Sequence, residues 1–128
     1  MMVLRALPRL RFRLVIGRDM AISPGKADLL EAIAESGSIA AAGRSMGMSY
    51  KRAWYLLDTM NRCFREPLVL VRKGGRHHGG TELTATGKQV LTLFRAIEKR
   101  AIAANAAELE GFADLIAEIP PATESATP

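Results

Sequence analysis

Eight basic residues lie between positions 44 and 76, namely Arg44, Lys51, Arg52, Arg62, Arg65, Arg72, Lys73 and Arg76, against only Asp58 and Glu66. Guanidinium and ammonium groups at this density bind phosphate, and a nucleic-acid duplex offers phosphates in a regular array that a basic face can follow. Nothing comparable points to catalysis. No serine, histidine and acid group forms a hydrolase constellation, the Gly-x-Ser-x-Gly elbow is missing, and no pair of buried carboxylates offers acid–base work. Gly87-Lys88 lacks the rest of a phosphate-binding loop, since the preceding glycine is back at Gly80 and Gln89 stands where Ser or Thr is needed. His77 and His78 are adjacent, with no cysteine or carboxylate at ligand spacing. The residues read as those of a binder, not an enzyme, with no metal and no cofactor.

The segment that must position these groups runs from Ser36 to Phe64 and reads as a helix-turn-helix. Its first helix spans about Ser38 to Met46, a tight turn passes through Gly47 and Met48, and a longer helix opens at Ser49. Gly37 can take the left-handed conformation that ends a preceding helix, and Ser38 can cap the next by accepting from an unpaired backbone N–H. Gly47 and Ser49 repeat that stop and start. At helical spacing, Tyr50, Ala53, Trp54, Leu57, Met60, Asn61 and Phe64 form a mostly apolar stripe that should face a core. Lys51, Arg52, Tyr55, Asp58, Thr59 and Arg62 form the opposite face. In a DNA-binding helix-turn-helix the start of the second helix meets base edges, which places Ser49, Lys51, Arg52 and Tyr55 as readers. The alternative is an ordinary amphipathic helix with a solvated basic face.

The flanking chain supports the first reading. Residues 1–9 carry little pattern and read as a loose lead-in. Leu10, Phe12 and Leu14 alternate with Arg11 and Arg13, and Gly17-Arg18-Asp19 precedes Met20-Ala21-Ile22, as in a β-hairpin with one wet, basic face. Ser23-Pro24 opens a helix that runs to about Glu35, with Leu29, Leu30, Ile33 and Ala34 facing inward. After Phe64, Glu66-Pro67 stops the helix and Leu68 to Val71 is a short β-rich run. Gly74 to Gly80 is a flexible basic loop, and Thr81-Glu82-Leu83 is a return strand. A glycine-tipped hairpin directly after a helix-turn-helix is what a winged helix requires, with Arg76 at the tip reaching the sugar-phosphate backbone or a minor groove.

Thr84 caps the next helix, which continues to about Ile119, with Gly111, preceded by Asn105, as the place for a bend or break. Val90, Leu91, Phe94, Ile97, Ala101 and Ile102 make one apolar stripe, and Leu109, Phe112, Leu115, Ile116 and Ile119 another. A helix this long has more apolar face than three helices can cover, which argues for a helix from a second copy of the chain. The alternative is that it folds back on its own domain. Residues 120–128 lack apolar content and should be disordered. The expected class is therefore mostly α with a small β component (α+β), with a winged helix-turn-helix over 10–83 and a helical dimerisation segment over 84–119.

The bulk properties agree. A chain of 128 residues suits one domain with an extra helix, and a charge of +5 with a pI near 9.9 favours a polyanionic partner without identifying it. Cys63 is the only cysteine, which excludes an intramolecular disulfide. No window approaches a membrane span, no basic and apolar faces share one exposed helix, and no leader pattern opens the chain, so a soluble, cytoplasmic protein is expected.

With these residues in place, the sequence resembles the N-terminal DNA-binding domain of the ModE family of molybdate-responsive transcriptional regulators, and more distantly the LysR-type winged helix. The match runs from about Leu14 to Arg100. It rests on Ser36-Gly-Ser-Ile39, Ser49-Tyr-Lys51 with Ala53-Trp54, Met60-Asn61, the wing glycines Gly74-Gly75 and Gly79-Gly80, and Leu83-Thr84 with Gly87. The resemblance implies a homodimer on a palindromic operator of double-stranded DNA, bound through the helix opening at Ser49 and through the wing. The candidate DNA-contacting residues are Ser38, Ser49, Tyr50, Lys51, Arg52, Tyr55, Arg62, Lys73, Arg76 and His77. In the family, molybdate or tungstate binds a separate C-terminal β domain. Only a short polar tail follows Ile119, so a ModE-like regulator without that domain is expected. His77-His78 stands where the family usually has glycine or lysine, a departure expected to alter backbone contacts. A winged-helix protein-interaction module with only non-specific DNA binding is the competing function.

Overall fold

A computed structural model of the chain describes residues 8–18, 20–72 and 80–117. It divides into two units, Arg11–Glu98 and a second made of Met1–Leu10 with Lys99–Pro128. In the first unit the order is β1 (Leu14–Ile16), β2 (Met20–Ile22), α1 (Pro24–Ser36), α2 (Ile39–Ser45), α3 (Tyr50–Asn61), β3 (Val69–Val71), β4 (Thr81–Leu83) and the first part of α4 (Ala85–Ala104). The strands form two antiparallel ribbons, with Leu14 opposite Ile22 in one and Val69 opposite Leu83 in the other. This is the α+β winged helix-turn-helix expected from the sequence.

A serine side chain makes the start of each of the first three helices. The Ser23 hydroxyl accepts from the Lys26 amide (3.3 Å) ahead of Pro24, Ser38 from Ala41 (3.1 Å) and Ser49 from Arg52 (3.1 Å). Caps of this kind contribute about 1 kcal/mol each by satisfying a donor the helix cannot. Gly37, at φ 71°, ends α1 in the left-handed region and donates its N–H to the Ile33 carbonyl (2.8 Å). Gly47, at φ 69°, does the corresponding work between α2 and α3.

α1 packs on α2, α3 and β4, and β2 lies against α3. The enclosed core holds Ile22, Leu29, Leu30, Ile33, Leu57, Met60, Leu68 and Phe94, all fully buried. The N-terminal ribbon is shorter than the alternation suggested. Residues 8–13 are not strand, and Phe12 stacks on Phe94 with ring centroids 5.2 Å apart. α3 also ends early, at Asn61, where the chain tightens into turns and the Asn61 side-chain oxygen takes the Leu68 N–H (2.8 Å).

The start of α4 is fixed against β3. The Thr84 hydroxyl accepts from the Gly87 amide (2.9 Å) and donates to the Pro67 carbonyl (2.7 Å), while the Thr84 amide donates to the Leu68 carbonyl (2.9 Å). A Cβ on Gly87 would lie 2.1 Å from the Leu68 carbonyl oxygen, so only glycine permits this approach. Farther along, Arg95 donates to Asp28 (2.6 Å), Glu98 (2.9 Å) and Glu31 (3.4 Å), tying α4 to α1. Burial acts to lower the Arg95 pKa, but its hydrogen bonds to Asp28 and Glu98 and the charges of Asp28 and Glu31 outweigh it, and the net shift is upward.

In the second unit, α4 stops at Ala104 and α5 covers Ala106–Ala113. The interruption falls at Asn105, not at Gly111, which lies inside α5. The Asn105 side-chain amide donates to the Ala101 carbonyl (2.6 Å), the local competition with backbone pairing that asparagine is suited to. Helical structure ends at Ala113, short of the expected run to Ile119, a residue that lies outside those described.

Candidate nucleic-acid interface

The capped end of α3 presents a continuous exposed set. Ser49, Tyr50, Lys51, Arg52 and Tyr55 are all exposed, the two tyrosines by 55% and 61%. Ala53, Leu57 and Met60, on the opposite face, are buried. Tyr50 therefore leaves the apolar stripe to which helical spacing assigned it. It sits in the first turn, and its ring meets that of Trp54 edge to face, with centroids 6.3 Å apart. Lys51 and Arg52 are exposed and have no side-chain partner among the described residues.

Beside this helix end runs a cleft of about 250 Å³, bounded by Gly37, Ser38, Ile39 and Ala40 at the start of α2, by Tyr50, and by Val71, Arg72, Gly80 and Thr81 at the base of the wing. The Thr81 amide donates to the Gly37 carbonyl (2.9 Å), which joins the wing to the turn between α1 and α2. Ser38 is half-buried, with its oxygen occupied by the cap; its O–H remains to donate. A helix end, a basic side chain and an adjoining hairpin thus flank one concave surface, the arrangement that takes a duplex backbone. Among the described residues no group of His, Cys, Asp and Glu could hold a metal ion, and no helix is long and apolar enough to cross a membrane.

The model of the bacterial regulatory helix-turn-helix protein, LysR family, matches residues 26–88, from α1 to the start of α4. The molybdenum transport protein ModE of Azotobacter vinelandii is 46% identical over 78 residues, 61% of this chain and 29% of that protein. The transcriptional regulator ModE of Haemophilus influenzae is 37% identical over 78 residues, 61% of this chain and 31% of its own length. The DNA-binding transcriptional dual regulator ModE of Escherichia coli K12 is 35% identical over 81 residues, 63% of this chain and 31% of that regulator. The chain carries a ModE-like winged-helix DNA-binding domain. It spans under a third of the length of these relatives.

Within the ModE-like domain, the candidate residues do not all gather at one place. Ser38, Ser49, Tyr50, Lys51, Arg52 and Tyr55 border the cleft or the adjoining helix end. Arg62 follows α3 at its far end, about 15 Å along the axis from Arg52 at the usual helical rise. It is paired there with Asp58 (2.8 Å). Lys73, Arg76 and His77, expected on the wing from the sequence, lie outside the described residues. Arg72, which lines the cleft, was not singled out as a contact in the sequence, and neither was its ion-pair partner Glu82. The register of the wing is the signal that finds them: Leu70 faces Glu82 and Val71 faces Thr81, which makes Arg72 and Glu82 diagonal neighbours.

Proposed function

We propose that the chain is a sequence-specific DNA-binding transcriptional regulator of the ModE type, working as a homodimer on a two-fold symmetric operator, and that it binds and does not catalyse. The observation that carries this reading is the exposed Lys51 and Arg52, without a side-chain partner among the described residues, at the capped start of α3 beside a cleft that the wing base completes. Ser49, Tyr50 and Tyr55 read bases or adjoining phosphates with them, while Ser38 and the wing grip the backbone. The relatives' names tie those proteins to molybdenum transport and transcription. On that basis the proposal extends to genes of molybdenum metabolism, and it assigns no effector to residues 8–117.

Support for a homodimer comes from α4, whose Leu93 and Ile97 are 56% and 43% exposed on a helix whose Phe94 is buried. The same apolar surface favours the second reading, a protein-interaction module in which the winged helix is a scaffold. A footprint on genomic DNA at moderate salt separates the two. A discrete protected site is expected for a regulator, whereas weak, salt-labile binding without sequence preference would sustain the module.

A further inference from the structure

Arg72 and Glu82 pair across the wing ribbon, each with much of its side chain in water (70% and 51% exposed). An exposed pair of this kind adds little to stability. Nor does the ribbon need it for shape, since the Arg72 amide donates to the Gly80 carbonyl (2.7 Å) and the Thr81 amide to Gly37 (2.9 Å). What the pair changes is charge at the cleft. A lone arginine there would contact the phosphate of any duplex, because backbone contacts carry no sequence information. With Glu82 bonded to it, an approaching phosphate meets a carboxylate as well as a guanidinium, while Lys51 and Arg52, which follow the cleft-lining Tyr50 on α3, have no side-chain partner among the described residues.

Resting on the DNA-binding reading above, we propose that Glu82 is a specificity-determining residue: its carboxylate holds Arg72 in a neutral pair at the edge of the cleft and so withholds one cation from non-specific duplex. Discrimination is thereby left to the side chains of α3 that reach base edges. Asp58 and Arg62 form a second such pair, but at the opposite end of α3 from the cleft.

The test compares the full wild-type chain with Glu82→Gln and with the double variant Arg72→Gln/Glu82→Gln. The probes are the genomic fragment protected in the footprint and an unrelated duplex of equal length, titrated over a salt series. Glu82→Gln is expected to bind the unrelated duplex severalfold more tightly and to steepen the log–log salt dependence by about 0.9, the effect of one added phosphate contact. The preference for the protected fragment falls accordingly, and the double variant returns slope and preference to wild-type values. An unchanged slope and preference in Glu82→Gln overturns the proposal. Equal weakening on both duplexes with a lowered melting temperature also overturns it, and makes the pair a structural staple. Wild-type chain that binds no duplex at low salt defeats the DNA-binding reading itself, a result visible before any variant is compared.

Discussion

Lys51 and Arg52 stand one residue apart on the first turn of α3, and the kind of contact each makes can be separated by substitution. Lys51→Ala or Arg52→Ala is expected to weaken binding to a specific site by about 1–3 kcal/mol where the lost contact is to a base edge. Equal loss on random duplex, measured by competition titration, would assign that residue to phosphate. These outward positions were legible because the 100° advance per residue separates them from Ala53, Leu57 and Met60, which are buried. Tyr50 was less so. A first-turn residue projects beyond the core its helix covers, so periodicity alone placed it on the wrong side. The Arg72–Glu82 pair was hidden for another reason: the ten residues separating them mean nothing until strand register brings them together.

Among the elements, the junction of β3 and α4 is where a single atom matters most. Gly87→Ala places a methyl against the Leu68 carbonyl, and the backbone must shift to admit it. A loss of about 1–3 kcal/mol, the usual range for overpacking, is expected in urea unfolding. Ser49→Ala removes the cap that fixes the start of α3 and is expected to cost about 1 kcal/mol in the same measurement. Arg95→Ala leaves Asp28, Glu31 and Glu98 without their shared cation. Because Asp28 and Glu31 are half in water and only Glu98 is mostly covered, the expected loss is about 1 kcal/mol, and added salt should reduce it. Helix starts were readable from Ser23, Ser38, Ser49 and Thr84, since a capping side chain is a local signal. Helix ends were not: α3 closed at Asn61 through a hydrogen bond to Leu68, seven residues on, and Asn105 interrupted the last helical stretch where glycine was the expected weak point.

For the molecule as a whole, the order of helices and ribbons followed from apolar periodicity and from Gly and Pro punctuation, and the core residues of α1 and α3 were largely those the pattern named, except that Ala34, expected to face inward, is exposed and Ala27 is buried instead. The proposed homodimer rests on surfaces that such patterns show only as excess. Leu93 and Ile97 are one helical turn apart and exposed, so a charge at either position opposes helix-to-helix association. Ile97→Glu is expected to give a monomer in sedimentation equilibrium and to lose cooperative binding across a two-fold operator, with the winged helix still folded. A variant that stays dimeric would move the interface elsewhere. The hydrogen bonds that join Asn61 to Leu68, Leu68 to Thr84, and Thr84 to Pro67 and Gly87 have a further consequence. They link the end of α3 to the start of α4, so the amides of Leu68, Thr84 and Gly87 should exchange with deuterium at one common slow rate, and Asn61→Ala should accelerate all three together.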